Sequence, residues 1–307
     1  MTDASVCWLC GAGSFQPLFR THDRLVPGPE QYWYLRCQGC GLIGLWPQPS
    51  WSARSPHYAA SYRGYQRLAT ESSPIRRLSM RYGLAKRFRL IKRRRRGGRL
   101  LDVGCAGGDF IAWLKTQPNW QGYGLERVPL VAQAAHTSYA VPVCVSDLHQ
   151  PGLAPASFDV LTLWTVLEHL DAPAAGLQAC ATLLRPGGLL IVRTVQQESW
   201  ARRVFGPNWV GYDAPRITTV FSRANLQRLL AQTGFRIEQT GSWFHDFYPL
   251  LWSWQNACAA LGLPPWFCHA SQRLLGSLPV RLLSYPWLRV QTALGGTSFV
   301  TIIARKA

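Results

Sequence analysis

Residues Arg99 to Phe110 read RLLDVGCAGGDF. Leu100–Val103 is a short apolar run of the kind that forms a strand buried on both faces. It stops at Gly104-Cys-Ala-Gly-Gly108, and Phe110-Ile-Ala-Trp-Leu114 then opens a helical pattern. A strand that ends in a glycine turn and resumes as a helix makes a nucleotide-type site at the carboxyl end of a sheet. Alone, G-x-x-G-G is a weak signal. The segments around it carry the argument.

Gly122–Glu126 reads as a second strand ending in an acid, placed to accept hydrogen bonds from both hydroxyls of a ribose. Val141–Val145, followed by Ser146-Asp147, predicts a third strand, and Ser157–Trp164 a fourth. A helix around Ala174–Leu184 leads through Arg185-Pro-Gly-Gly188 into a fifth strand, Leu189–Val195. Phe235–Trp243 and Gly296–Lys306 supply the last two. Strands and helices alternate throughout, which predicts a doubly wound α/β sheet.

The segments LLDVGCAGGDF, GLE, SDL, SFDVLTLWTVLEHL and LLRPGGLLIVRT resemble, in that order, the motifs of class I S-adenosylmethionine-dependent methyltransferases. The resemblance implies a seven-stranded Rossmann-like sheet and S-adenosyl-L-methionine as cofactor. It implies that Asp102 and Gly104 shape the loop under the methionine part and that Gly108 lets the backbone approach. Glu126 would hold the ribose, Asp147 would face the adenine amine with Leu148 beside the ring, and Trp164 would line the pocket near the sulfonium. Taken singly, Asp102 also fits a loop cap and Glu126 a surface acid. Ala106 stands where the family usually has glycine, a change that a negative φ accommodates. An NAD-binding Rossmann domain would want G-x-G-x-x-G and does not predict VLEHL or RPGG.

On the acceptor side, a hydroxyl attacking a sulfonium methyl needs alignment and a base. His169, just past the fourth strand, is the candidate base; an ordinary helix-start histidine is the alternative. Related quinone O-methyltransferases carry an acid of a metal site where this chain has Thr165, so no catalytic metal is expected. Trp209-Val-Gly-Tyr-Asp-Ala-Pro-Arg216 to Phe221-Ser222 resembles the W…D-x-P-R-H…F-S segment of the family's acceptor cavity. That implies Trp209, Tyr212 and Arg216 in the pocket, with Ile217 replacing the usual histidine. Arg216 suits a phosphate or carboxylate, and Ser222 an N-cap.

Before the sheet, Cys7-Trp-Leu-Cys10-Gly and Cys37-Gln-Gly-Cys40-Gly form two knuckles. Doubled C-x-x-C is the spacing of a closed Cys₄ zinc site, and a Pro-Gly-Pro turn and an aromatic strand between the pairs suit a zinc ribbon. The metal's role is expected to be structural. The expected organisation is a ribbon over 1–60, a basic helical segment over 61–98 and a methyltransferase domain over 99–307.

Of 307 residues, 48% are hydrophobic and the net charge is +18. Such a charge points to an anionic partner, not to a fold. Arg76–Arg99 contains no acid, and Leu78, Tyr82, Ala85, Phe88 and Ile91 recur at helical spacing, ending at Gly97-Gly98. A Leu- and Trp-rich insertion over 246–292, read as two helices broken at Pro264-Pro265, precedes the last strand. Apolar faces with Trp and Arg suit a membrane interface, and a lid or dimer contact is the alternative. With no signal-peptide pattern or 18-residue apolar window, a cytoplasmic protein peripheral on the membrane's inner face is expected. The first functional reading is methyl transfer to a small-molecule, glycan or lipid-linked acceptor. The alternative is an RNA methyltransferase; it lacks N-P-P-Y after the fourth strand and aromatic platforms in the basic run.

Overall fold

The computed structural model describes residues 6–58, 62–65 and 68–307. The boundary expected at 60/61 falls outside these residues. Eleven strands are described: β1 Phe15–Thr21, β2 Tyr32–Cys37, β3 Ile43–Trp46, β4 Gly98–Val103, β5 Trp120–Glu126, β6 Val143–Val145, β7 Phe158–Trp164, β8 Leu184–Val195, β9 Thr219–Val220, β10 Phe235–Gly241 and β11 Phe299–Lys306. The helices are α1 Trp51–Arg54, α2 Pro74–Lys92, α3 Asp109–Lys115, α4 Pro129–Tyr139, α5 Pro173–Leu183, α6 Trp200–Phe205, α7 Arg223–Gln232, α8 Phe247–Ala260, α9 Pro265–Leu275 and α10 Leu278–Ala293.

Seven strands form the main sheet in the order β10-β11-β8-β7-β4-β5-β6, with β11 antiparallel to both neighbours and the rest parallel. Every residue of β7 is buried, as a central strand covered on both faces requires. On one face Leu100, Val160, Leu189, Ile191 and Ile303 pack with Leu84, Phe88 and Ile91 of α2. On the other, Leu101, Leu161, Leu163, Leu190 and Val192 pack against α5 and α7 through Leu177, Leu183, Leu226 and Leu229. The carboxyl ends of β4, β5 and β7 therefore share one edge.

The ribbon is not a detached unit. Its strands continue into the body as a sheet ordered β1-β2-β3-β9, and Ile43 and Gly44 pair with Val220 and Thr219. The two knuckles repeat one geometry: Gly11 N–H donates to Cys7 O at 2.8 Å and Gly41 N–H to Cys37 O at 2.9 Å. Both glycines sit at positive φ, 80° and 72°, where a side chain would strain the turn. Cys7, Leu9, Cys37 and Leu42 are buried in the same core as Phe221 and Leu226.

α2 starts at an N-cap, Ser73 Oγ accepting from Arg76 N–H, and ends at Lys92, earlier than Gly97-Gly98 implied. Leu84, Phe88 and Ile91 are buried, but Leu78 and Tyr82 are 70% and 55% exposed. The first turns of α2 thus leave an apolar face open that the periodicity alone would have buried. The insertion has three helices, not two: Pro264-Pro265 breaks it as expected, and a second break falls at Gly276-Ser277. Asp246, at its entry, is buried and accepts from Ser298 N–H at 2.6 Å and Ser298 Oγ at 2.8 Å. No residue of α9 is buried. Among the described residues no helix is long and apolar enough to cross a membrane.

Candidate active site

The glycine turn is held from β5: Leu125 O accepts from Gly104 N–H at 2.7 Å and from Cys105 N–H at 3.2 Å. Gly104 has φ 63°, and a Cβ there would meet Val166 Cγ2 at 2.6 Å. Ala106 corrects the expectation of a negative φ, for it sits at 47°. A left-handed alanine costs roughly 1–2 kcal/mol. The conformation aims its N–H at Glu126, donating to Oε2 at 3.0 Å. Glu126 Oε1 accepts from Val128 N–H at 3.0 Å. Burial pushes this carboxyl up, against those backbone hydrogen bonds. Each carboxylate oxygen keeps a second lone pair for a hydroxyl, so the cradle fits a ribose. Asp102, buried behind the turn, accepts from Thr162 Oγ1 at 2.5 Å, and burial pushes its carboxyl up to about 7.

Asp147 pairs with Arg127 at 2.8 Å and with His149 Nδ1 at 2.6 Å. Burial alone would raise its carboxyl; the hydrogen bonds from His149 and the charge of Arg127 hold it below the usual range. Arg127 also lies 4.1 Å from the Trp51 ring centre. Leu148 is buried in the α5-side core. Trp164 is buried between Phe110 and Phe244, at ring separations of 6.0 and 6.2 Å, and its Nε1 has no partner.

His169 lies in a helical turn, Leu167–His169, after β7. Thr165, leading into it, has φ 60°, rare for a β-branched residue. His169 Nδ1 donates to Arg216 O at 2.8 Å, which fixes the tautomer and leaves Nε2 unprotonated, an acceptor. Tyr62 Oη stands 3.5 Å from Nε2 and Tyr58 Oη 3.2 Å from Nδ1. Burial, with the charges of Arg54 and Arg216, pushes the imidazole down to about 4, against the Arg216 carbonyl bond. It is neutral at physiological pH.

Tyr58, Tyr62 and Tyr65 were missed in the sequence. Tyr62 meets each of the other two edge-on at 5.2 Å. Tyr58 follows the turn Ser55–His57 and Tyr65 closes the turn Arg63–Tyr65; further on, Leu68 N–H donates to Asp109, next to the glycine loop, at 3.0 Å. Three tyrosines spaced by four and three residues were the available signal.

The segment after β8 departs from expectation. Arg216 is buried with both guanidinium edges filled: Asp23 accepts at 2.7 and 2.9 Å and Asp213 at 2.7 and 2.9 Å. It also donates to His57 O at 2.8 Å, and its guanidinium lies 5.7 Å from the Tyr62 ring centre. No edge is left for an acceptor's phosphate or carboxylate. Trp209 is a core residue whose indole donates to Ser298 Oγ at 3.0 Å. Tyr212 packs against Tyr34, Phe19 and Trp209. Burial, not pocket chemistry, explains all three. Ser222 does cap α7, in a reciprocal box with Asn225.

The Sγ atoms of Cys7, Cys10, Cys37 and Cys40 lie within 4.8 Å of one another, with separations of 3.7 and 3.5 Å for Cys7–Cys40 and Cys10–Cys37. Zinc–sulfur bonds of about 2.3 Å in a tetrahedron give edges of about 3.8 Å, so the cluster fits that ion.

A methyltransferase-domain family matches residues 76–240. A ubiquinone biosynthesis O-methyltransferase of Ralstonia nicotianae is 34% identical over 134 residues, 41% of this chain and 56% of that protein. The protein of the same name from Cereibacter sphaeroides (strain KD131) is 30% identical over 178 residues, 54% of this chain and 71% of its own. The chain thus spans little more than half the length of the first relative. The crystal structure of a SAM-dependent methyltransferase from Archaeoglobus fulgidus superposes with a TM-score of 0.50 at 16% identity, covering 74% of this chain and 94% of that one, a likeness of fold. With the family match over the glycine turn, Glu126 and all but one strand of the main sheet, the chain belongs to the class I S-adenosylmethionine-dependent methyltransferases.

Proposed function

We propose that this protein transfers a methyl group from S-adenosyl-L-methionine to an oxygen of a small-molecule acceptor, glycan- or lipid-linked, at a membrane surface. The observation that carries this reading is the placement, at the carboxyl ends of β4, β5 and β7, of the Gly104–Gly108 turn, Glu126 and a neutral His169 whose Nε2 is an acceptor facing the Tyr62 hydroxyl. The relatives named for O-methylation support oxygen as the atom methylated. When bound, the cofactor supplies an electrophilic methyl on a sulfonium. Glu126 and the Ala106 N–H set the ribose end, Asp147 and Leu148 the adenine end, and Asp102 the floor of the turn. Trp164 walls the methyl-transfer side. His169 Nε2 receives the acceptor hydroxyl's proton as its oxygen is alkylated, and Tyr62 Oη is positioned to hand that hydroxyl to it. The tyrosine trio excludes water. Zinc on the four cysteines holds the ribbon against the body.

The membrane part rests on the open faces of three helices. Leu78 and Tyr82 of α2, Trp266 and Leu274 of α9, and Leu283 and Trp287 of α10 are exposed. Arg281 of α10 donates to Ser79 of α2 at 3.2 Å, so these helices adjoin. No acid follows Asp246 in the chain, while Arg77, Arg81 and Arg289 are exposed. An apolar face rimmed by cations alone suits an anionic bilayer. Within the Arg93–Arg96 run, Arg94 faces Glu238 and Arg95 pairs with Asp159 at 2.7 Å, so that run is partly spoken for.

Transfer of labelled methyl from S-adenosylmethionine to a panel of phenolic and glycan acceptors, with and without isoprenoid tails, tests the activity. Methylation of oxygen in this panel is expected, and methylation of RNA alone would overturn the reading. Sedimentation with anionic vesicles tests the surface: binding that high salt weakens but does not abolish is expected, and a protein left in the supernatant at low salt contradicts it.

A further inference from the structure

Arg193 lies on β8 opposite Trp164 of β7, and paired neighbours in a parallel sheet share a face. That face is the one covered by α2, the side on which Asp102 and Thr162 stand behind the glycine turn. The Arg193 guanidinium lies 4.0 Å from the Phe299 ring centre and 5.0 Å from that of Phe244. From α2, the Arg87 guanidinium lies 5.1 Å from the Trp164 ring centre. Both side chains are half-buried. Among the described residues neither meets a carboxylate within ion-pair distance or a hydrogen-bond acceptor. Asp246 and Glu168 lie near enough for their charges to favour Arg193, but neither closes an ion pair with it: Asp246 is hydrogen-bonded by Ser298 and Gln291, and Glu168 is buried. Arg87 and Arg193 thus lie against aromatic rings on one face of the sheet without an ion pair of their own, and the indole N–H of Trp164 is also unpartnered, an arrangement that attracts an anion.

Arg87 stands on the side of Asp102 and Asp109, where the amino-acid end of the cofactor belongs. Arg193 stands further along the sheet edge, past Trp164. We infer that the acceptor carries an oxyanion, a carboxylate or phosphate, and that Arg193 binds it with its fork while Trp164, Phe244 and Phe299 enclose the neighbouring apolar body. The inference rests on the methyltransferase reading above and narrows its substrate class to anionic acceptors. Arg216, the arginine that motif resemblance offered for this task, has no free edge; Arg193 does. Guanidinium over aromatic walls suits a planar carboxylate or phosphate that it can meet with two parallel hydrogen bonds.

The test uses the full chain loaded with S-adenosylhomocysteine, which fills the cofactor's own carboxylate site. Titration with inorganic phosphate, pyrophosphate and benzoate then reports on the acceptor side, and the probe that binds tightest tells phosphate from carboxylate. We expect at least one to bind, and Arg193→Gln to weaken it about tenfold to a hundredfold, as loss of charge-assisted hydrogen bonds does. Arg193→Lys should restore part of the affinity, and S-adenosylhomocysteine affinity should stay within about twofold in both variants, which also reports folding. The inference is overturned if no probe binds the loaded wild type, if Arg193→Gln binds as well as wild type, or if Arg193→Gln loses S-adenosylhomocysteine instead. In that last case Arg193 serves the cofactor, and the methyltransferase reading survives without it.

Discussion

The guanidinium of Arg216 and the carboxylate of Asp23 meet in parallel, Nη1 to Oδ2 at 2.9 Å and Nη2 to Oδ1 at 2.7 Å, across 193 positions of sequence. Both are buried. Asp23 follows β1 of the ribbon, and the carbonyl of Arg216 orients His169. The pair therefore couples the cysteine module to the candidate base.

Removing one partner of such a pair leaves a buried charge undercompensated. Asp23→Asn is expected to destabilise the whole chain by about 3 kcal/mol, read by denaturant unfolding. Burial alone would raise the Asp23 carboxyl, but the Arg216 hydrogen bonds outweigh it and hold it below its usual value. Its contribution is thus present above the unfolded carboxylate range and is lost as pH falls through the folded value. An unchanged midpoint in the variant would show that Asp213 suffices alone.

One zinc per chain is expected by metal analysis of protein purified without chelator. Because Cys7 and Cys37 share a core with Phe221 and Leu226, Cys37→Ser should lower the melting temperature of the whole protein in one transition. The β3–β9 pairing ties the ribbon to the body. Two separated transitions would contradict the coupling.

His169 is pushed down to about 4 by burial and the neighbouring arginines. Arg54, Arg216, Asp213 and the hydroxyls of Tyr58 and Tyr62 surround it. An unfolded histidine takes up its proton near 6.5, so stability should fall as pH drops from there toward 4. Activity should not titrate with a group near 6.5. His169→Gln should lower kcat by about 10²–10⁴ on a hydroxyl acceptor while cofactor affinity holds. A wild-type kcat/KM profile with an acid limb near 6.5, lost in His169→Gln, would contradict the shifted value.

The sheet was legible because a parallel strand buried on both faces is mostly apolar and ends in a turn, and Leu100–Val103 and Phe158–Trp164 are mostly apolar runs that do so, Asp102, Asp159 and Thr162 being the buried exceptions. The Cys₄ cluster was legible because both ligand pairs are local. The tyrosine trio was not, since its register depends on short helical turns with no repeating pattern. Arg216 was misread because one of its acids is 193 residues away, although Asp213, three residues before it, was in view. Arg193 was hidden at the end of the apolar run Leu189–Val192, where only the register with Trp164 and the cover of α2 reveal that it faces Phe244 and Phe299. The third insertion helix had a start signal, Gly276-Ser277-Leu-Pro279, that the double proline upstream overshadowed.

Calorimetric titration of the purified chain with S-adenosylhomocysteine and S-adenosylmethionine tests the central claim most directly. The wild type is expected to bind one equivalent. Glu126→Ala removes the acceptor for both ribose hydroxyls and should weaken binding by about 10²–10⁴-fold, at about 1.5–3 kcal/mol for each of two charge-assisted bonds. No binding by the folded wild type, or the same affinity in Glu126→Ala, would contradict the assignment of the Gly104–Gly108 turn and Glu126 as the cofactor site.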